Sequence, residues 1–281
     1  MSATKSKDPY ANPRAFYGSE LERLRNEAGL SQTGLGTRAF CSGSYIGQFE
    51  SALRVPQLEL SKRFDEIFGT KEHMQRLCRL ARRYKVAHYF ADAAELEKQA
   101  QAISEISSMY VLGLLQTEAY ARAVIRAAQR FTPHEVVERF VRARMERAKL
   151  LEGPSAPVYW AIIHEAALRV AVGEPEVMVE QLDHLAEVMR TRPNVVIQVM
   201  PFAAGAHPFL NSMVSLMDFN DTPPAVYTEG GGTGQLLEDP VLVADCQRSY
   251  DLARADALSP TASLALIESA AKDWATHGHR I

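Results

Sequence analysis

Between Ser19 and Phe68 the apolar residues Leu21, Leu24, Leu30, Leu35, Phe40, Ile46, Phe49, Leu58, Leu60, Phe64 and Ile67 recur at helical spacing. Start and stop signals interrupt them after only about ten residues each time. Ser19 ahead of Glu20 and Glu22 reads as an N-cap with acidic first-turn residues, and Gly29 closes that helix. Ser31 opens a second helix, Ser42 a third, and Pro56 a fourth, since its fixed φ suits a first turn. Helices this short are stable only when packed on one another. Residues 15–70 are therefore expected to form an all-α domain of four to five short helices around one core.

The flanking segments read differently. Residues 1–14 are expected to be a flexible arm, and 71–88 a basic helical linker carrying Arg76, Arg79, Arg82, Arg83 and Lys85, a solvated face or a further phosphate contact. Glu95 to Met109 reads as an amphipathic helix, Thr117 caps another, and Pro133 opens a long one to about Leu151. In that helix Arg139, Arg142, Arg144 and Arg147 alternate with Val137, Phe140, Val141 and Met145, which reads as a packing or dimer seam. Glu176 to Arg190 reads as one more helix, and the chain from about Pro240 to its end is helical again. Val158 to Ile163, Val195 to Met200, Met213 to Phe219 and Ala225 to Glu229 read as strands. The last two flank a turn too short for a crossover helix. The fold class expected is α+β: the N-terminal helical domain, then residues 89–281 as helices packed on a mostly antiparallel sheet.

Bulk properties bound the function classes. A chain of 281 residues, 47% hydrophobic, has the length of two globular domains. A net charge of −3 gives no whole-molecule attraction to nucleic acid. Cys41, Cys78 and Cys246 are odd in number and far apart, so they suit free thiols better than a disulfide framework or a CxxC metal clamp. Met1 to Pro13 lacks the apolar stretch of a signal peptide, and no apolar run reaches the ~20 residues that span a bilayer. The expected location is the cytoplasm, on the nucleoid, with no membrane partner.

The segment Gly29-Leu30-Ser31-Gln32-Thr33-Gly34-Leu35-Gly36, followed by Cys41-Ser42-Gly43-Ser44-Tyr45-Ile46-Gly47-Gln48-Phe49-Glu50, resembles the XRE family of helix-turn-helix regulators over about fifty residues. The resemblance implies a DNA-binding module whose third helix enters a major groove. Independently of it, Ile46 and Phe49 lie three apart and share the core face, which leaves Gly43, Ser44, Gly47 and Gln48 on the other. Gln48 is the first choice for reading a base, because a Gln side chain can pair bidentately with adenine, and Ser44 is the second. Tyr45 and Thr33 complete the expected contact set, with Arg38 and Arg54 as phosphate partners. The resemblance further implies that Gln32 holds a phosphate at a helix start and that Arg25 and Glu50 form a structural ion pair.

Gly34 and Gly36, each costing about 1 kcal/mol inside a helix, depart from the family pattern, as does the lack of an Arg on the groove face. Residues 1–70 hold nine Lys and Arg against eight Asp and Glu, a modest attraction for phosphates. A homodimer on two half-sites roughly 34 Å apart is therefore expected on double-stranded DNA.

Further along, Leu112-Gly113-Leu114-Leu115-Gln116-Thr117-Glu118-Ala119-Tyr120-Ala121-Arg122, Glu165-Ala166-Ala167-Leu168-Arg169, Gln181-Leu182-Asp183-His184-Leu185 and Val199-Met200-Pro201-Phe202-Ala203-Ala204-Gly205-Ala206-His207 occur in order. They resemble the effector region of WhiJ-like regulators of actinobacteria, although Val111 or Leu112 stands where that pattern has Pro. The resemblance implies a small partner protein; a small-molecule effector is the alternative.

An enzyme reading competes: a nucleotide-binding or hydrolase-like domain fused to a DNA-targeting module. It requires Glu165, His184, His207 and Glu229, the candidate ligand or partner residues, to converge in one pocket. His164-Glu165 starts like a zinc-protease motif, but Leu168 occupies the place of the second ligand. Gly230-Gly231-Gly232-Thr233-Gly234 lacks the Lys-Ser/Thr ending of a P-loop and suits a hairpin turn. Neither a catalytic role, a metal nor a cofactor is expected.

Overall fold

In a computed structural model, residues 8–83, 89–230 and 233–278 are described. The chain divides into two compact units, one of Met1–Leu96 with Phe219–Pro223 and one of Glu97–Asp218 with Pro224–Ile281.

The first unit holds α1 (Pro13–Glu27), α2 (Gln32–Ala39), α3 (Gly43–Glu50), α4 (Leu58–Phe68), α5 (His73–Arg83) and most of α6 (Tyr89–Glu97). α1 begins six residues before the expected Ser19 cap. Asn12 accepts from the amides of Arg14 and Ala15, and Pro13 fills the first helical position, a start signal as complete as the one at Ser19. The expected arm at 1–14 thus ends inside α1, and residues 1–7 lie outside the described residues.

Tyr17, Leu21, Leu35, Ile46, Phe49, Phe64, Met74 and Cys78 form the core of this unit. Each such large apolar side chain contributes roughly 1.5–3 kcal/mol on burial. Met74 and Cys78 belong to α5, so the segment read as a linker packs as part of the bundle. Buried Asp65 fixes its start, accepting from the Met74 amide at 2.8 Å, the Gln75 amide at 3.1 Å and the Thr70 hydroxyl at 2.6 Å. A carboxylate at a helix N-terminus also meets the positive end of its dipole. Lys85, part of the basic run, lies outside the described residues.

The second unit is built on a six-stranded mixed sheet in the order β3-β2-β1-β4-β5-β6. Its strands are β1 (Ala102–Ser107), β2 (Val158–His164), β3 (Val195–Met200), β4 (Met213–Asp218), β5 (Ala225–Gly230) and β6 (Thr233–Leu237). β1, β2 and β3 pair in parallel, and the other three pairings are antiparallel. Parallel neighbours need long crossovers. α7 (Glu118–Ala128) and α8 (His134–Ala148) connect β1 to β2, and α9 (Ala166–Arg169) and α10 (Pro175–Thr191) connect β2 to β3. α11 (Pro240–Asp256) and α12 (Pro260–His277) follow the sheet. The chain is thus α+β.

β1 overturns the expected helix over Glu95 to Met109. It is a central strand whose inward residues Glu105 and Ser107 are polar, which erased the alternation that would have marked it. The register puts Ile103, Glu105, Tyr159, Ala161, Ser215 and Tyr227 on one face. The other face carries Ile106, Ile162, Val214, Leu216 and Val226, packed against Val243, Tyr250 and Ala253 of α11.

Candidate nucleic-acid interface

α2 and α3 are set by short-range chemistry. The Ser31 hydroxyl accepts from the Gly34 amide at 2.9 Å, and the Ser42 hydroxyl from the Tyr45 amide at 3.1 Å. Between them Phe40 takes a left-handed conformation, φ 58°, and the Cys41 amide donates back to the Gly36 carbonyl at 2.9 Å. Gly36 permits this tight turn: a Cβ there would stand 2.7 Å from the Cys41 carbonyl oxygen. Gly43 serves the same purpose one turn on, where a Cβ would meet the Thr33 hydroxyl at 2.8 Å. Both glycines trade helix propensity for close approach.

The far end of α3 is held by charge. Arg25 donates to both oxygens of Glu50, at 2.5 and 3.1 Å, and its remaining arm reaches the Leu30 carbonyl at 2.8 Å. The Gln32 amide donates to the same carboxylate at 2.8 Å. These side chains are 11% and 5% exposed for Arg25 and Glu50. The Glu50 hydrogen bond raises the Arg25 pKa above its ordinary value.

Ile46 and Phe49 are fully buried. Ser44 is exposed near the start of α3 and Gln32, Thr33 and Arg38 are exposed on α2, while half-buried Gly43 and Gly47 pack against Thr33 and Gln32. Three expected contacts are corrected. Gln48 is only 5% exposed, Tyr45 7% and Arg54 1%. On a helical wheel Gln48 lies next to Tyr45, and this arc is closed rather than open. The chain after α3 turns back, with the Leu53 and Arg54 amides donating to the Gln48 carbonyl at 3.0 and 3.2 Å. The Arg54 guanidinium lies 4.9 Å from the Tyr45 ring centre and donates to the Pro223 carbonyl at 2.7 Å, a residue of the same unit. The open arc of α3 is therefore Gly43, Gly47 and Ser44.

In the second unit the four candidate ligand residues do not gather. Glu165, directly after β2, accepts from the Phe202 amide at 3.0 Å. His207 stacks on His164, ring centres 5.6 Å apart, and burial lowers the pKa of both. Glu229 ends up at the same end of the sheet, but on β5, three strands from β2, roughly 14 Å away at the usual strand spacing. His184 sits midway along α10, half-buried, with its pKa lowered first by burial and then by Arg192. Among the described residues no three His, Cys, Asp or Glu side chains are grouped to hold a metal ion.

A polar cluster that sequence reasoning missed lies on the Glu105 face of the sheet. Arg147 of α8 grips Glu97 with two hydrogen bonds of 2.6 Å and stands 3.8 Å from Glu105, to which the Tyr159 hydroxyl donates. Burial raises the Glu105 pKa against the pull of Arg147. The signal was present in part: Arg144 follows Val137 by seven residues and Val141 by three, which puts it on the buried side of α8, and Arg147 follows it by three more.

Two family models match the chain. A helix-turn-helix domain covers residues 17–86, and a domain of unknown function, DUF5753, covers residues 90–269. No curated protein and no solved structure gives a significant match. Among the described residues no helix is long and apolar enough to cross a membrane.

Proposed function

The chain belongs to the family described as Domain of unknown function (DUF5753), and we propose that it is a sequence-specific, DNA-binding transcriptional regulator of XRE type. The observation that carries this reading is the junction where Gly43 and Gly47 of α3 pack against Thr33 and Gln32 of α2, with Ser44, Gln32 and Thr33 exposed. A recognition helix reads bases with residues near its N-terminal end, while the preceding helix positions the module on phosphates. In this reading Ser44 contacts a base edge, Gly43 and Gly47 let the α3 backbone approach the groove, and Thr33 and Arg38 hold phosphates. Gln32 does so only in part, since its amide is engaged by Glu50.

So small a contact set gives weak monomer binding, which supports a homodimer on half-sites roughly 34 Å apart. Residues from about 89 onward serve as the effector part, sensing a small ligand or a small partner protein, in the manner of the actinobacterial WhiJ-like regulators. The scatter of Glu165, His184, His207 and Glu229 favours this over a hydrolase-like or nucleotide-binding enzyme. The site of action is the nucleoid.

The test is selection of bound DNA from a random pool by the full chain, followed by binding measurements on the enriched site. Ser44→Ala is expected to weaken specific binding by about 1 kcal/mol, about fivefold, with nonspecific affinity unchanged. Arg38→Gln is expected to weaken all sequences alike and to reduce the salt slope by about one. Enrichment of no sequence, or equal loss on specific and random DNA for Ser44→Ala, refutes the reading.

A further inference from the structure

We propose that the second unit binds a small carboxylate at Arg144, with Tyr110 and Glu229 beside the guanidinium to receive a neighbouring hydroxyl or amino group of the same ligand. This names a ligand class for the sensing role proposed above and rests on that reading only for its biological meaning.

Arg144 and Arg147 lie three residues apart on one face of α8. Their Nη1 atoms each lie 3.0 Å from the place a Cβ of Gly113 would occupy, so the two nitrogens are at most twice that distance apart. Arg147 is compensated, gripping Glu97 with both arms and facing Glu105. Arg144 is not. Among the described residues its one hydrogen bond runs from Nη1 to the neutral amide oxygen of Gln116, at 2.8 Å. No carboxylate there lies within ion-pair distance of it.

That arrangement is costly as it stands. A guanidinium has five N–H donors, and removing it from water without an anionic partner is unfavourable. Burial and the like charge of Arg147 both lower the Arg144 pKa. The position is nonetheless built. Gln116 is 3% exposed, and its own amide donates to the Val111 carbonyl at 2.6 Å, which turns its oxygen toward Arg144. A structural arginine in this fold looks like Arg147; Arg144 is held with most of its fork unused.

The neighbours select the ligand. A planar fork matches two oxygens of a carboxylate or a phosphate. Glu229 and Glu105 attract Arg144 at longer range, and Glu229 and Arg144 act in opposite directions on the Tyr110 hydroxyl, whose pKa is pushed up to about 12, first by burial. The negative charge of Glu229 and Glu105 nearby disfavours a dianion, so a monoanion fits better than phosphate. An ordinary carboxylate leaves Glu229 unanswered, whereas a hydroxy or amino group next to it donates to Glu229 or Tyr110. Arg144, Tyr110 and Glu229 are all half-buried, whereas Gln116 and Glu105 are buried.

The test is thermal denaturation and titration calorimetry of the full chain with glycolate, glycine, acetate and inorganic phosphate at equal ionic strength. Saturable stabilisation is expected with glycolate or glycine, weaker with acetate and weakest with phosphate. Arg144→Met is expected to weaken that binding about tenfold or more while leaving the free protein as stable as the parent, and Arg144→Lys to fall between. Arg147→Met is expected to destabilise the free protein strongly, because it strands Glu97. The proposal is overturned if no carboxylate binds saturably, if phosphate binds best, if Arg144→Met binds within twofold of the parent, or if Arg144→Met destabilises the free protein as much as Arg147→Met. DNA binding is measured on the same variants. Retained DNA binding with no carboxylate binding sinks this proposal alone, and the reverse sinks the DNA-binding reading alone.

Discussion

Replacing Glu50 with Gln removes the charge that anchors the far end of α3 while keeping the side-chain volume. The carboxylate is 5% exposed and receives three hydrogen bonds, two from Arg25 and one from Gln32. Breaking a buried pair by neutralising one partner costs about 3–5 kcal/mol, because the other charge is left uncompensated. Arg25 keeps its bonds to the Leu30 carbonyl and Asn26 side chain, which puts the expected loss at the lower end, about 3 kcal/mol. With a urea slope of about 1 kcal/mol per M for a unit this small, the midpoint moves down by about 3 M.

The chain supplies its own internal control. Its two tryptophans, Trp160 on β2 and Trp274 on α12, both belong to the second unit. Far-UV circular dichroism is expected to show an early transition in Glu50→Gln that tryptophan fluorescence does not follow. Adding Arg25→Met is expected to recover most of the loss, since replacing both partners removes the stranded charge. A midpoint shift below about 1 M, or no recovery in the double variant, refutes the reasoning.

Gly36→Ala is expected to destabilise the first unit by about 1–3 kcal/mol, because the new methyl meets the Cys41 carbonyl, whereas Gly34→Ala is expected to be neutral or stabilising; chemical denaturation compares them. Gln48→Ala is expected to register as lower stability with unchanged sequence preference, and a shift in the base selected at one operator position would return Gln48 to the groove face. Acidification is expected to weaken the second unit. His164, His184 and His207 have folded-state pKa values below the unfolded 6.5, so the unfolded chain takes up protons first and stability falls as pH drops through 6.5 toward the folded values. His207→Phe is expected to flatten that fall when melting is followed by fluorescence, and an unchanged pH profile would show that His207 does not contribute.

The helix-turn-helix segment was legible because its signals are local: Ser31 and Ser42 cap the helices they precede, and Ile46 and Phe49 fix the inward face of α3. The burial of Gln48 was not legible because two anchors define the centre of a buried face but not its width; Tyr45 beside it is likewise buried, with Arg54 over its ring. Gly34 and Gly36 look alike in sequence and differ in space, since only Gly36 faces the turn into α3. In the second unit the four strands with apolar inward residues were readable, whereas β1 was hidden by Glu105 and Ser107. A buried charge is invisible to periodicity until the partner that compensates it, here Arg147 some forty residues later, is known.

The central position of β1 also dictates an order of events. It leaves the ribosome before any other strand of its sheet, yet Ile103 is flanked by Tyr159 and, more than a hundred residues later, by Met217. At synthesis rates of roughly 5–20 residues per second, β1 waits several seconds or longer for its second neighbour. Pairings so distant along the chain close slowly, and both long edges of β1 stand open in the meantime. Nascent chains stopped short of β4 should therefore be captured by chaperones, and its charged Glu105 is a brake on strand-to-strand aggregation during that interval.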